Sequence, residues 1–99
     1  MKLIVVNLRH EPCDIRICRP SPYGNPFRIG AHGTREDVVA KYKGWLADHP
    51  GLVGQLLQAC LALQRAGKET IRLGCWCFPL ACHGDVLKEA VEALMRGGG

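Results

Sequence analysis

The stretch GCWCFPLACHGDV carries Cys75, Cys77, Cys82 and His83, residue types that point to three kinds of chemistry. Three thiolates and an imidazole form a Cys3His donor set suited to tetrahedral zinc. The spacing counts against it: paired zinc cysteines usually have two or more residues between them, and the neighbours Cys82 and His83 reach one ion only from a bent backbone. Cys82 and His83 also stand just before a helical pattern, where unpaired N–H groups and the helix dipole favour a thiolate or a bound anion. This makes the two residues candidate catalytic groups, although neighbours in sequence are not yet a dyad, since a nucleophile's partners are set in space. The third reading is packing. Cys75 and Cys77 lie two apart on a strand, share the face of Ile71 and Leu73 with Trp76 opposite, and cysteine is among the most buried residue types. Asp85 complements the helix dipole or, alternatively, orients His83.

Two further polar groups stand where a pocket would form. In NLRHEP, Asn7, Arg9 and His10 follow the first strand; in RPSPYGNPF, Arg19, Ser21 and Asn25 sit among prolines. An arginine fork, a hydroxyl and an amide on a stiff loop suit a phosphate or carboxylate. The competing account is a turn after the strand and a proline-braced loop covering a sheet edge. Gly24 reads as a conformational requirement, and His32 and His49, in or next to loops, read as solvated.

The elements that must position these residues follow from periodicity. Leu3–Asn7 is a short β-branched apolar run, a buried strand; Asp14–Cys18 alternates Ile15 and Ile17 with polar neighbours and is stopped by Pro20. Residues 19–30 hold too many prolines and glycines for regular structure and too many apolar side chains for a floppy linker, so an ordered loop is expected. Thr34 with Asp37 resembles a capping box opening a helix that carries Val38, Tyr42, Trp45 and Leu46, and Pro50 marks its end. A second helix runs from about Leu52 to Arg65, stopped by Gly67, with Val53, Leu56, Leu57, Cys60 and Leu63 on one side. A strand over 70–77 and a helix over 84–96, with Leu87, Ala90, Val91 and Leu94 inward, complete a domain of residues 1–96, before a flexible glycine tail, 97–99. The expectation is an α/β fold: a single compact domain, a small sheet of about three or more strands with at least one parallel pair, a right-handed crossover and about three helices. Ligand sites in parallel sheets gather beyond the carboxyl ends of the strands, where NLRH and the cysteine-rich stretch fall.

Composition narrows the classes. Ninety-nine residues with 47% hydrophobic and 22% charged side chains describe a globular chain, with no apolar run long enough to span a bilayer. The run Leu3–Val6 is too short for a signal peptide, so a cytoplasmic location is expected. The six cysteines are then expected to be reduced. A net charge of +4 with scattered basic residues permits nucleic acid without indicating it, and suits an anionic small ligand equally well.

Four motifs, VVNLRHEP, RPSPYGNPFRIG, GTREDVVAKYKGWL and LGCWCFPLACHGDVL, span nearly the whole chain. On them the sequence resembles the bacterial and bacteriophage family called domain of unknown function four-three-two-six. The resemblance implies that Asn7, Arg9, Arg19, Ser21, Gly24, Asn25, Cys75, Cys77, Cys82, His83 and Asp85 belong to one family pattern, whereas Cys13, Cys18 and Cys60 receive no implied role. The family name assigns no activity. The leading expectation is a binding domain, in host cytoplasm if phage-encoded, that takes a phosphorylated nucleotide-like ligand between Asn7, Arg9, Arg19, Ser21, Asn25 and the start of the last helix, with Asp85. The alternatives are a structural zinc domain using Cys75, Cys77, Cys82 and His83, a nucleotide or nucleoside hydrolase or transferase using Cys82 or His83, and a domain that only binds another protein.

Overall fold

The computed structural model describes residues 1–76 and 82–97. In chain order these form β1 (Lys2–Asn7), β2 (Ile15–Arg16), α1 (Arg35–Ala47), α2 (Pro50–Arg65), β3 (Thr70–Cys75) and α3 (His83–Gly97). The strands make a wholly parallel sheet of order β1-β3-β2, so the strand latest in sequence lies in the middle. Val5 is level with Leu73 on one side of β3, and Ile15 is level with Leu73 on the other.

Side chains alternate across a strand, and this places Leu3, Val5, Ile71, Leu73 and Cys75 in one apolar core with Tyr42 and Leu46 of α1, Leu56 and Cys60 of α2, and Leu87 and Val91 of α3. Burying each such aliphatic side chain contributes about 1.5–3 kcal/mol. Helix α3 packs against β1, β3, α1 and α2, so its first turn is held where β3 ends. Its inner stripe is narrower than the periodicity predicts: Leu87 and Val91 are fully buried, but Leu94 is 37% exposed, because it lies a turn beyond the residues that reach the sheet.

The local signals explain the helix ends. Thr34 Oγ1 accepts the Asp37 N–H at 3.3 Å while the Asp37 carboxylate accepts the Thr34 N–H at 2.9 Å, a reciprocal capping box. Pro50 occupies the first turn of α2, where its missing N–H costs nothing. At the other end Gly67 takes φ +104°, its N–H bonds to the Gln64 carbonyl and the Lys68 N–H to that of Leu63, the double bond that closes a helix at a left-handed glycine.

The connection from β1 to β2 is the unusual part. Since both strands flank β3 in the same direction, residues 8–14 must cross it on the face away from the helices. They do so at Gly74, where a Cβ would stand 2.6 Å from Cys13 Cβ, Cys13 Sγ and Leu8 Cδ2. Asp14 then docks the crossing: its N–H donates to the Arg72 carbonyl, its carboxylate accepts the Arg72 N–H at 2.8 Å, and Lys68 Nζ lies 2.9 Å from its other oxygen. The Lys68 ammonium holds the Asp14 carboxyl below the usual carboxylate range. After this the sheet pairing of β2 is brief, shorter than the alternation over Asp14–Cys18 predicts, and Ile17 and Cys18 are both buried as the chain leaves the sheet.

Gly74→Ala is therefore expected to destabilise the fold by about 1–3 kcal/mol, the usual cost of forcing a methyl into a filled space. A urea midpoint that falls at unchanged slope checks it, and an unchanged midpoint would show that the crossing can move aside.

Candidate anion-binding site

The carboxyl ends of β2 and β3 and the first turn of α3 converge on a cavity of about 580 Å³. Its described walls bring Cys18 and Arg19 from the end of β2, Asn25, Arg28 and Ile29 from the following loop, Arg35 from α1, Cys75 and Trp76 from β3, and Cys82 and His83 from α3. Among these described wall residues are three arginines and no carboxylate. The Arg19 and Arg28 side chains form no ion pair among the described residues.

The loop over residues 19–30 is ordered by its own polar groups. Asn25 Oδ1 accepts the Phe27 N–H at 2.9 Å and Nδ2 donates to the Val38 carbonyl at 3.2 Å, tying the loop to α1. Tyr42 Oη donates to the Tyr23 carbonyl at 2.8 Å, and Ser21 Oγ accepts the Tyr23 N–H. Gly24 does not adopt a left-handed conformation; a Cβ there would lie 2.7 Å from Arg19 Cγ and 2.9 Å from Arg19 N. The requirement at Gly24 is room for the Arg19 backbone, not backbone rotation.

The first turn of α3 is capped from both sides, one of the acceptors being a sulfur. Cys82 Sγ accepts the Gly84 N–H at 3.3 Å, while the Asp85 carboxylate accepts the Cys82 N–H at 3.2 Å. Cys82 Sγ also lies 3.4 Å from Cys75 Sγ, with both residues buried. His83 is buried as well, its Nε2 donating to the Ile17 carbonyl at 2.6 Å and its ring edge-on to Tyr42 at 5.2 Å. Burial lowers the imidazole pKa, and the charge of Arg19 adds to this against the opposing pull of the Ile17 carbonyl and Asp85. His83 is thus a neutral tie between α3 and the end of β2.

The residues named from sequence divide by this geometry. Arg19, Asn25, Cys75, Cys82 and His83 line the cavity. Asn7 lies outside its walls: its Oδ1 accepts the Arg9 N–H at 2.8 Å and its Nδ2 donates to the Trp76 carbonyl at 3.3 Å, shaping the turn after β1. Arg9 is exposed, Ser21 serves the loop, and Asp85 caps α3 while bordering a separate groove along β1 with Lys2, Glu11 and Lys88. His49 stacks on Trp45 with centroids 4.2 Å apart, and His32 Nδ1 accepts the Arg28 N–H at 2.9 Å, so neither ring is simply solvated. Cys77 lies outside the described residues; among those described, no group of three or more His, Cys, Asp or Glu side chains is arranged to hold a metal ion. Among the polar and thiol side chains of the wall, Cys18, Arg28 and Arg35 carry no site reading in the sequence. In sequence Arg28 counts only as part of a scattered charge and Arg35 carries no reading of its own, although both lie within motif stretches; Cys18, which accepts from Arg16 Nε at 3.1 Å, stands directly before RPSP.

Fold and site together define a three-stranded parallel α/β domain with an arginine-walled cavity at the strand ends. Its family is established by comparison: residues 6–93 match the family described as Domain of unknown function (DUF4326), and the chain belongs to it. A protein of Enterobacteria phage T4, "Uncharacterized 12.4 kDa protein in nrdA-td intergenic region", is 32% identical over 94 residues, covering 93% of this chain and 80% of the phage protein. No solved structure matches the chain.

Because His83 is held uncharged, the unfolded chain takes up a proton there at a higher pH than the fold does. Stability is fully present above the unfolded histidine pKa of about 6.5 and declines as pH falls below it toward the depressed folded value. Melting temperature should drop between pH 7.5 and 5.5, and His83→Gln, which keeps a donor for the Ile17 carbonyl, should flatten that part of the profile. A slope unchanged by the substitution would place the titrating group elsewhere.

Proposed function

We propose that the domain binds a phosphorylated, nucleotide-like ligand in the cavity at the strand ends. The observation that carries this reading is the convergence of Arg19, Arg28 and Arg35 on a space with no carboxylate among its described walls. Planar guanidinium forks match phosphate oxygens in pairs, and such charge-assisted bonds are the stronger ones. The remaining walls favour a ligand with an aromatic part as well. Trp76 is 47% exposed at the cavity, Arg16 lies over its ring at 5.6 Å, and Phe27 and Ile29 extend the apolar side. A volume of about 580 Å³ is in the ordinary range for small-ligand sites. No helix among the described residues is long and apolar enough to cross a membrane.

One observation favours an enzymatic version of the same reading, a hydrolase or transferase acting on a nucleotide or nucleoside. Cys82 Sγ borders the cavity and accepts a helix N-terminal N–H, a setting that supports thiolate character. Turnover that disappears in Cys82→Ala while the melting temperature is kept would favour it over binding alone.

The test is thermal stabilisation by nucleoside mono-, di- and triphosphates, with unphosphorylated nucleosides and inorganic phosphate alongside. Phosphorylated compounds should raise the melting temperature and nucleosides should not. Arg19→Ala and Arg28→Ala should each weaken binding roughly tenfold to a hundredfold, the loss of a charge-assisted bond of about 1.5–3 kcal/mol. Equal stabilisation by nucleosides, or none by any phosphate compound, would overturn the proposal.

A further inference from the structure

We propose that Cys82 and Cys75 are a reactive thiol and its resolving partner, a site of reversible oxidation by hydroperoxides in the cavity wall. The inference does not depend on which ligand the arginines hold. The two sulfurs lie 3.4 Å apart, and a disulfide at about 2.05 Å needs only a small further approach by side-chain rotation. Cys75 sits at the end of β3 and Cys82 at the start of α3, so neither sulfur is carried on an element that must unfold for them to meet. Both residues line the cavity; Cys82 keeps 3% exposure and Cys75 none, so a peroxide has to reach only the Cys82 side, while Cys75 lies behind it.

The two positions differ in a way that assigns the roles. Cys82 Sγ accepts the Gly84 N–H at 3.3 Å at the positive end of α3, and the arginines of the same cavity add positive potential, so negative charge is favoured on this sulfur. Cys75 Sγ, on the sheet's core face, has the Cys82 sulfur within contact distance. The thiolate of Cys82 attacks one peroxide oxygen; an S–O bond forms, the O–O bond breaks, and hydroxide leaves to take up a proton as water. Cys75 sulfur then attacks the resulting sulfenic acid, forming the S–S bond and breaking S–O, and the Cys75 thiol proton leaves with the hydroxide as a second water. Two thiols lose two electrons in total and one peroxide is reduced. A small dithiol reverses the change.

The full chain, reduced and desalted, is exposed to a few equivalents of hydrogen peroxide, alkylated and mapped by mass spectrometry. Chymotryptic cleavage after Trp76 and Leu80 separates Cys75, Cys77 and Cys82 onto different peptides. The expected result is loss of two thiols and a Cys75–Cys82 linked peptide pair that dithiothreitol releases. In Cys75→Ser, Cys82 should stop at a sulfenic acid that dimedone traps; in Cys82→Ser, Cys75 should stay reduced. A disulfide that instead contains Cys77 or Cys18, oxidation of Cys82 beyond sulfenic acid with no linked pair in the unmodified sequence, or unchanged thiols at excess peroxide would each overturn the proposal. If either serine variant fails to fold, the map of the unmodified sequence decides alone.

Discussion

The passage of residues 8–14 over Gly74 is the constraint on which the rest of this structure depends. Placing β1 and β2 on opposite sides of β3, all running the same way, forces the chain to cross the middle strand within one short segment. The crossing is possible because residue 74 has no side chain for Cys13 and Leu8 to meet. Once across, Asp14 locks onto the backbone of Arg72, and the chain emerges with Ile17 and Cys18 beside the end of β3. The Ile17 carbonyl is then where His83 needs it, and Arg19 follows at the rim. A wider crossing would move both.

The cavity is thus a product of backbone ties more than of side chains reaching toward one another. One tie joins α3 to β2 through His83, another joins the loop to α1 through Asn25 and Tyr42, and the close approach of Gly24 folds the loop against Arg19. Each leaves a charged or nucleophilic group at the cavity without spending it on the tie. Asn25, His83 and Cys82 each do both, making a tie or a cap while lining the cavity.

How much of this was legible in the sequence depends on how local the cause is. The capping box of Thr34 and Asp37, the stop at Gly67, and the common face of Ile71, Leu73 and Cys75 are set by neighbours in the chain, and spacing reveals them. The α/β class and the parallel pairing follow from the order of those elements. The shortness of β2 was not legible, because it is set by where the crossing lands and not by the alternation of Ile15 and Ile17. For the site, residue type was ambiguous in a physical sense: an asparagine or serine that shapes a turn uses the same hydrogen bonds as one that holds a ligand, so Asn7 and Ser21 look alike in sequence to Asn25. Arg28 and Arg35 belong to different elements, and the ties between the loop and α1 made by Asn25, Tyr42 and Lys41 bring them to one wall. Family membership, by contrast, was legible because its motifs run through most of the chain.

The strand order also has a kinetic side. Among the described residues β1 and β2 pair with β3 and not with each other, and β3 is separated from them by both α1 and α2. During synthesis from the amino end, the apolar run of β1 has no strand to join until Thr70–Cys75 has emerged, whereas α1 and α2 can form from local contacts as they appear. Long-range parallel pairing is intrinsically slow because loop closure must come first. The sheet therefore cannot close until β3 has been made, and over that interval the apolar segment KLIVVN has no strand to pair with, the kind of exposure that favours aggregation.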